Sequence, residues 1–357
     1  MTSLDAATLH RDSIVIDGLN ASHFLEPRIL DRLEAGGVTM VHATVAAWQD
    51  LRETMGLIAA HQALFSRFAD RIMPVRETDD IHRAKGAGRV GVLLGFQGTD
   101  PIEDNLQMLS VYRDLGIKIM QLTYNATNRV GSGYRVPEDH GLTPFGREVI
   151  AEMNRLGILI DLSHCGDRTT NEAIEASRRP VAITHANSRR FSNQARNKSP
   201  ETLRALAERG GMVGAMAFPQ VLTGQPRASL EDFLKAIEDL ADLVGIDRVG
   251  LGPDFMEELP RHVMSQALGG FDDDTAARFF SAQKVEGFGS VSEFPGVTEG
   301  LLARGWSPED VRKVLGGNWL RFYEEAWTPE VPSSERKLPA GGTAAQRPGL
   351  RAYPPPF

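Results

Sequence analysis

The chain has 357 residues, 41% of them hydrophobic and 24% charged, with a formal net charge of −8. That balance supports a full-sized globular core and excludes a nucleic-acid partner, which asks for a basic face. No run approaches the ~20 uninterrupted apolar residues of a membrane-spanning helix. The start "MTSLDAATLHRDS" lacks the basic-then-apolar order of a secretory signal, and a single cysteine, Cys165, rules out an internal disulfide framework. A cytoplasmic protein with no membrane partner is the expectation.

In chain order, short apolar, β-branched runs alternate with stretches of helical spacing. The first, "SIVIDGLN" (13–20), passes Asp17-Gly18 and then offers Leu19, Asn20 and Ala21. "GVTMVHATVA" (37–46), "RVGVLLGFQG" (89–98) and "IKIMQLTYN" (117–125) follow. A helix is read over "GREVIAEMNRLG", where Val149, Met153 and Leu156 share a face. Then come "GILIDLSH" (157–164), "PVAITHAN" (180–187), and "SPETLRALAERGG", a helix opened by a Ser cap and closed by Gly-Gly. "GGMVGAMAF" (210–218) and "RVGLGPDF" (248–255) flank a helix with Leu230, Phe233, Ile237 and Leu240 on one side. Residues 256–290 read as an irregular, acidic lid or insertion, and "VSEFPGVTEGLLARGWSPEDVRKVLGGNWLRFYEEAW" as closing helices. From about Thr328 the composition turns to Pro, Gly and Ala, so 328–357 is expected as an extended or unstructured tail on a 1–327 barrel domain.

Continuous apolar runs, rather than strict alternation, indicate strands covered on both faces. Eight such strand–helix units predict an α/β fold, a (β/α)8 TIM barrel, in which function gathers at the C-terminal strand ends. The residues placed there are Leu19, Asn20, Gln97, Tyr124, Asn125, His164, His185 and Asp254.

Two imidazoles on adjacent strands, His164 and His185, can share one metal ion or serve as acids and bases; the plainer reading is hydrogen bonding within the mouth. Asp254 can accept a proton from water, or cap a helix. Gln97 is a weak neutral ligand or a hydrogen-bonding group. Tyr124 can donate to a substrate oxygen or simply stack. Arg196, in "QARNKSPE", can clamp a carboxylate or be an ordinary surface arginine. Leu19, Asn20 and Asn125 are expected to touch substrate. Cys165 reads as a small packed residue. The glycine pairs lack the strand–GxGxxG–helix context of a dinucleotide site.

The segments "GLTPFGREVIAEMNRLGILIDLSH", "PVAITHANSRR", "ARNKSPETLRAL", "GGMVG", "RVGLGPDF" and "VLGGNWLRFYEE", in this order, resemble the membrane (renal) dipeptidase family, the M19 metallopeptidases of the amidohydrolase type. The resemblance runs from about Leu9 to Trp327. It implies a (β/α)8 barrel, frequent homodimers, and hydrolysis of dipeptides at two zinc ions bridged by a carboxylate and hydroxide. It also implies metal-ligand roles for His164 and His185, a catalytic role for Asp254, and a substrate-carboxylate role for Arg196.

The departures are specific. Where the family has His-x-Asp after Asp-Gly, this chain has Leu19 and Ala21. The bridging Glu is Gln97, and a substrate-contacting His is Tyr124. With Asp254 the only anion left among the ligand positions, two divalent ions would repel each other without compensation. The expectation is therefore one divalent metal, zinc by analogy, on His164, His185 and Gln97, or none. His23 and Asn20, just beyond the lost pair, are poor candidates for substitute contacts. The function expected is hydrolysis of a dipeptide or small carboxylate-bearing amide. The alternatives are a metal-free enzyme doing lyase, isomerase or condensation chemistry on an amino-acid-derived metabolite, or a non-catalytic relative.

Overall fold

The computed structural model of the protein describes residues 5–329. Its sheet contains eight parallel strands in sequence order: β1 (Ile16–Asn20), β2 (Met40–Ala46), β3 (Val90–Phe96), β4 (Ile117–Gln121), β5 (Leu159–Asp161), β6 (Ala182–Ile183), β7 (Met212–Ala215) and β8 (Val249–Leu251). Each neighbour is reached through a helix, as parallel pairing requires. All seven residues of β3 are buried, which is why the run carries no polar alternation. Helix Leu230–Val244 buries Phe233, Ile237 and Leu240 against the barrel, and its start is fixed by a Ser229–Asp232 capping box. The expected amphipathic faces over 144–156 and 200–208 likewise point inward, each begun by a Thr or Ser cap and a proline.

Ring closure happens only at the mouth. There Asn20 bridges Phe255, the Asp254 N–H donates to Leu19 O at 3.1 Å, and Ala21 N–H donates to Phe255 O at 2.8 Å. Below that, β1 and β8 part and Trp319 fills the gap. A Cβ at Gly18 would lie 2.8 Å from its ring, and one at Gly250 2.2 Å, so both strands need glycine there. The indole Nε1 donates to Leu251 O at 3.0 Å. Trp319, Tyr323 and Trp327 stack in turn beneath Ile16, Met40, Leu93, Ile119, Leu159 and Met212, and the closing helix Asn318–Ala326 thus plugs the floor.

Three features depart from the sequence expectation. A short strand, Ile72–Pro74, pairs with Val90–Val92 at the base of β3, and Arg227–Ser229 pairs with Lys284–Glu286 outside the barrel. The stretch 256–290 is not irregular: it holds helices Arg261–Leu268 and Asp273–Ala282. Pro260 and Gly269-Gly270 cut it into pieces too short for a period to be read. Of the expected tail, all beyond Pro329 lies outside the described residues. Among the described residues no helix is long and apolar enough to cross a membrane.

Candidate active site

The ends of β5 and β6 are tied by one carboxylate. Asp161 accepts from Ser163 N and Thr184 N, both at 3.0 Å, and from the Thr184 hydroxyl at 2.7 Å. Because that hydroxyl gives its proton to Asp161, its oxygen is left to accept from His185 Nδ1 at 2.8 Å. On the other strand His164 Nδ1 donates to Asn125 Oδ1 at 2.7 Å. With Nδ1 the donor on each ring, the two Nε2 lone pairs face each other across 3.0 Å. Burial, and next the Arg196 guanidinium, hold both imidazoles well below the usual histidine range. A neutral pair with opposed lone pairs calls for something electron-poor between them, a cation or one proton.

The loop after β4 supports this arrangement. Asn125 has φ +57°, a left-handed conformation that Asn tolerates, and its carbonyl carbon lies 2.3 Å from where a Cβ on Gly133 would sit. Only glycine lets the two backbones meet. Tyr124 stacks on the His164 ring with centroids 4.4 Å apart, and burial raises its hydroxyl's pKa, so it stays a donor. Across the mouth Asp254 also has positive φ, +63°. Its carboxyl is pushed up to about 7 by burial, which outweighs the opposing pull of Arg196.

These groups border a cavity of about 560 Å³, the size of small-molecule sites. Gln97, Tyr124, Asn125, His164, Arg196 and Asp254 line it. His185 stands behind His164, wholly buried, with only its Nε2 turned toward that ring. Arg196 is no surface arginine. It is 3% exposed, donates to Ser163 O and, at 3.0 Å, to His185 O, and leaves its Nε–H without a partner.

Two expected substrate contacts are corrected. Leu19 is fully buried and Asn20 is spent on the strand itself: its Nδ2 donates to Asp17 Oδ2 at 2.8 Å and its Oδ1 accepts from Ser22 N at 2.9 Å. Neither lines the cavity; that place belongs to Ala21, just past the end of β1. His23 likewise stands apart from the main cavity. Cys165 is buried, with Thr123 Oγ1 donating to its Sγ at 3.3 Å and burial raising the thiol's pKa. The sequence reading missed Tyr134 and Arg135, which line the cavity from the loop after β4; Arg196 lies 5.7 Å over the Tyr134 ring. It also missed Lys198, whose buried ammonium, brought down to about 8, donates to Cys165 O at 2.6 Å. The far wall is apolar: Phe218, Phe271, Phe279 and Phe280, three of them from the 261–282 helical segment or its turn.

The sequence model described as "Membrane dipeptidase (Peptidase family M19)" matches residues 4–267 and 276–335. Dipeptidase tcpJ of Claviceps purpurea is 27% identical over 291 residues, 81% of this chain and 63% of that protein. Dipeptidase 3 of Rattus norvegicus is 27% identical over 243 residues, 66% of this chain and 45% of that one. The chain thus spans less than two thirds of the length of these curated relatives. Among solved structures, an amidohydrolase from Pseudomonas aeruginosa is 38% identical, covers 91% of this chain and 99% of its own, and superposes with a TM-score of 0.85. A metallopeptidase from Rhodobacter sphaeroides, liganded with a phosphinate mimic of the dipeptide L-Ala-D-Ala, shares the fold at 22% identity, 88% and 100% coverage, and TM-score 0.74. The chain belongs to the membrane dipeptidase family, peptidase family M19.

Proposed function

We propose that the protein hydrolyses a dipeptide or a small amide carrying a carboxylate, with at most one divalent ion. The observation that carries this reading is the meeting, at one cavity, of opposed imidazole lone pairs 3.0 Å apart, an unpartnered buried Arg196 Nε–H, and Asp254.

The residues do not fit a two-ion centre. Leu19 and Ala21 offer no donor atoms, Gln97 brings no charge, and among the described residues no cluster of three or more His, Cys, Asp or Glu is placed to hold a metal. A single ion fits better: the Nε2 atoms of His164 and His185 are pre-aimed, and Gln97 Oε1 is buried without a partner. When bound there, a divalent ion would polarise the scissile carbonyl and make water more acidic. The rest falls to the chain. Arg196 Nε–H holds the substrate carboxylate. The ionised Asp254 takes a proton from the attacking water and returns it to the leaving amine. The Tyr124 hydroxyl donates to the oxygen on which charge develops.

One observation favours a second, metal-free reading. Arg196 and Lys198 both place positive charge close to the imidazole pair, which weakens any cation site. In that reading the pair shares a proton and acts as acid and base. A dipeptide panel assayed with chelator and then with graded zinc separates the two. Turnover that needs zinc supports the mononuclear hydrolase; full turnover in chelator removes the ion from the account.

A further inference from the structure

Beside the main cavity lies a smaller one of about 140 Å³, a quarter of its neighbour's volume. The two share five wall residues, Ala21, Gln97, Tyr124, Met256 and Ala267, so one ligand can occupy both. Most of the small pocket is apolar, with Phe24, Ala46, Trp48 and Val263 among its walls. Two of its polar side-chain atoms are buried without a partner. His61, on helix Leu51–Arg67 and 4% exposed, donates from Nδ1 to Leu57 O at 2.8 Å, one turn back; its Nε2 keeps a lone pair and has no partner. Gln97, 3% exposed, donates from Nε2 to Thr44 Oγ1 at 2.9 Å and leaves Oε1 unpartnered.

Both atoms are acceptors, and with Gln97 Oε1 given to the ion where one is bound, His61 Nε2 is the acceptor that belongs to this pocket alone. A buried acceptor without a donor costs free energy that a ligand's O–H or N–H restores. The walls also settle the donor's charge. No carboxylate lines this pocket, and its ionisable residues are His23, His61 and Tyr124, whose phenol burial keeps neutral, so an ammonium there would be stripped of water without a counter-ion.

We infer that this side pocket, reached past Ala21, is a recognition subsite for an uncharged hydrogen-bond donor at the end of the substrate remote from its carboxylate. The substrate class is then a hydroxyacyl- or amide-terminated amino acid rather than a dipeptide with a free ammonium. The assignment rests on the proposed seating of the carboxylate at Arg196.

Three ligands of nearly one shape test it: L-lactoyl-L-leucine bears a hydroxyl, L-alanyl-L-leucine an ammonium, and propanoyl-L-leucine neither. Their dissociation constants are measured by calorimetry on the full chain and on His61→Leu and His61→Gln, with leucine release followed in parallel. Lactoyl-leucine is expected to bind at least about fivefold more tightly than propanoyl-leucine, and more tightly than alanyl-leucine. The first ratio falls to near one in His61→Leu and returns in His61→Gln, whose side-chain oxygen replaces the lost acceptor. Tightest binding by alanyl-leucine, or a ratio that His61→Leu leaves unchanged, overturns the subsite. The ligand order in the unaltered protein decides the matter even where the leucine variant does not fold. Leucine release addresses the other claim: His61-dependent binding without release keeps the subsite and removes the hydrolase, and release without His61 dependence does the reverse. No binding by any of the three overturns both.

Discussion

Replacing Asp254 by Asn removes the one carboxyl in the cavity that the fold holds partly protonated near neutral pH. Its value is pushed from the ordinary 3.8 to about 7, chiefly by burial. At roughly 1.4 kcal/mol per pH unit, that gap amounts to about 4 kcal/mol. For the sign, the native state keeps this proton between those two values while the unfolded chain has released it. Stability contributed here is therefore greatest at acid pH and declines as pH rises towards about 7. Roughly 2.5 kcal/mol of the decline falls between pH 5 and pH 8. The assay is urea unfolding of the wild type and Asp254→Asn at pH 5, 6, 7 and 8, with chelator present so that no ion neutralises the carboxylate. Groups that do not sense the Asp254 charge titrate alike in both proteins and cancel in the difference. The variant should gain on the wild type as pH rises, by about 2.5 kcal/mol over the range. Parallel stability curves would refute the placement of an ionisable Asp254 in a dry wall. The same carboxylate as base predicts that kcat/KM in the wild type climbs through an inflection near 7, and that Asp254→Asn loses about 10²–10⁴ in rate.

Further predictions follow from the neighbouring groups. Converting the substrate carboxylate to a methyl ester should raise KM by about ten- to a hundredfold, since a hydrogen bond to a charged partner is worth roughly 1.5–3 kcal/mol; an unchanged KM would remove Arg196 from carboxylate binding. Gln97→Glu adds an anion beside the imidazole pair and should raise zinc affinity at least about tenfold in a competition titration with a chromophoric chelator. That gain should vanish when His164→Ala is added, and its persistence would place the ion elsewhere. At the floor of the barrel, Trp319→Ala should cost about 3–5 kcal/mol in urea unfolding, because the indole fills the gap between Gly18 and Gly250. A loss below about 1 kcal/mol would mean that the β1–β8 seam closes without it.

How much of this was legible in the sequence depends on the range of the interactions involved. The eight barrel strands were readable because each is buried on both faces, and so forms a continuous apolar run such as "VGVLLGF". The residues of the mouth were readable because they end those runs. What escaped was set by contacts distant along the chain. Leu19 and Asn20 look like mouth residues by position, but Leu19 is fully buried and Asn20 spends its side chain on Asp17 and Ser22 where its pairing with Phe255 closes the ring. Tyr134 reaches the cavity only because Gly133 lets its loop lie against Asn125. His61 is a helix residue whose importance depends on which of its nitrogens finds a carbonyl one turn back. Helix Asp273–Ala282 did leave a local signal, Asp272 capping Thr275 N, but it stood inside an acidic stretch where a cap is easily read as mere polarity.

The most direct test of the central claim is a metal count. The purified chain is stripped with chelator, re-equilibrated with excess zinc, freed of unbound ion and analysed for zinc per chain, beside His164→Ala. With Ala21 standing after β1 in place of a charged ligand, the wild type should retain no more than one zinc and the variant essentially none. Two equivalents retained by the wild type would contradict the account.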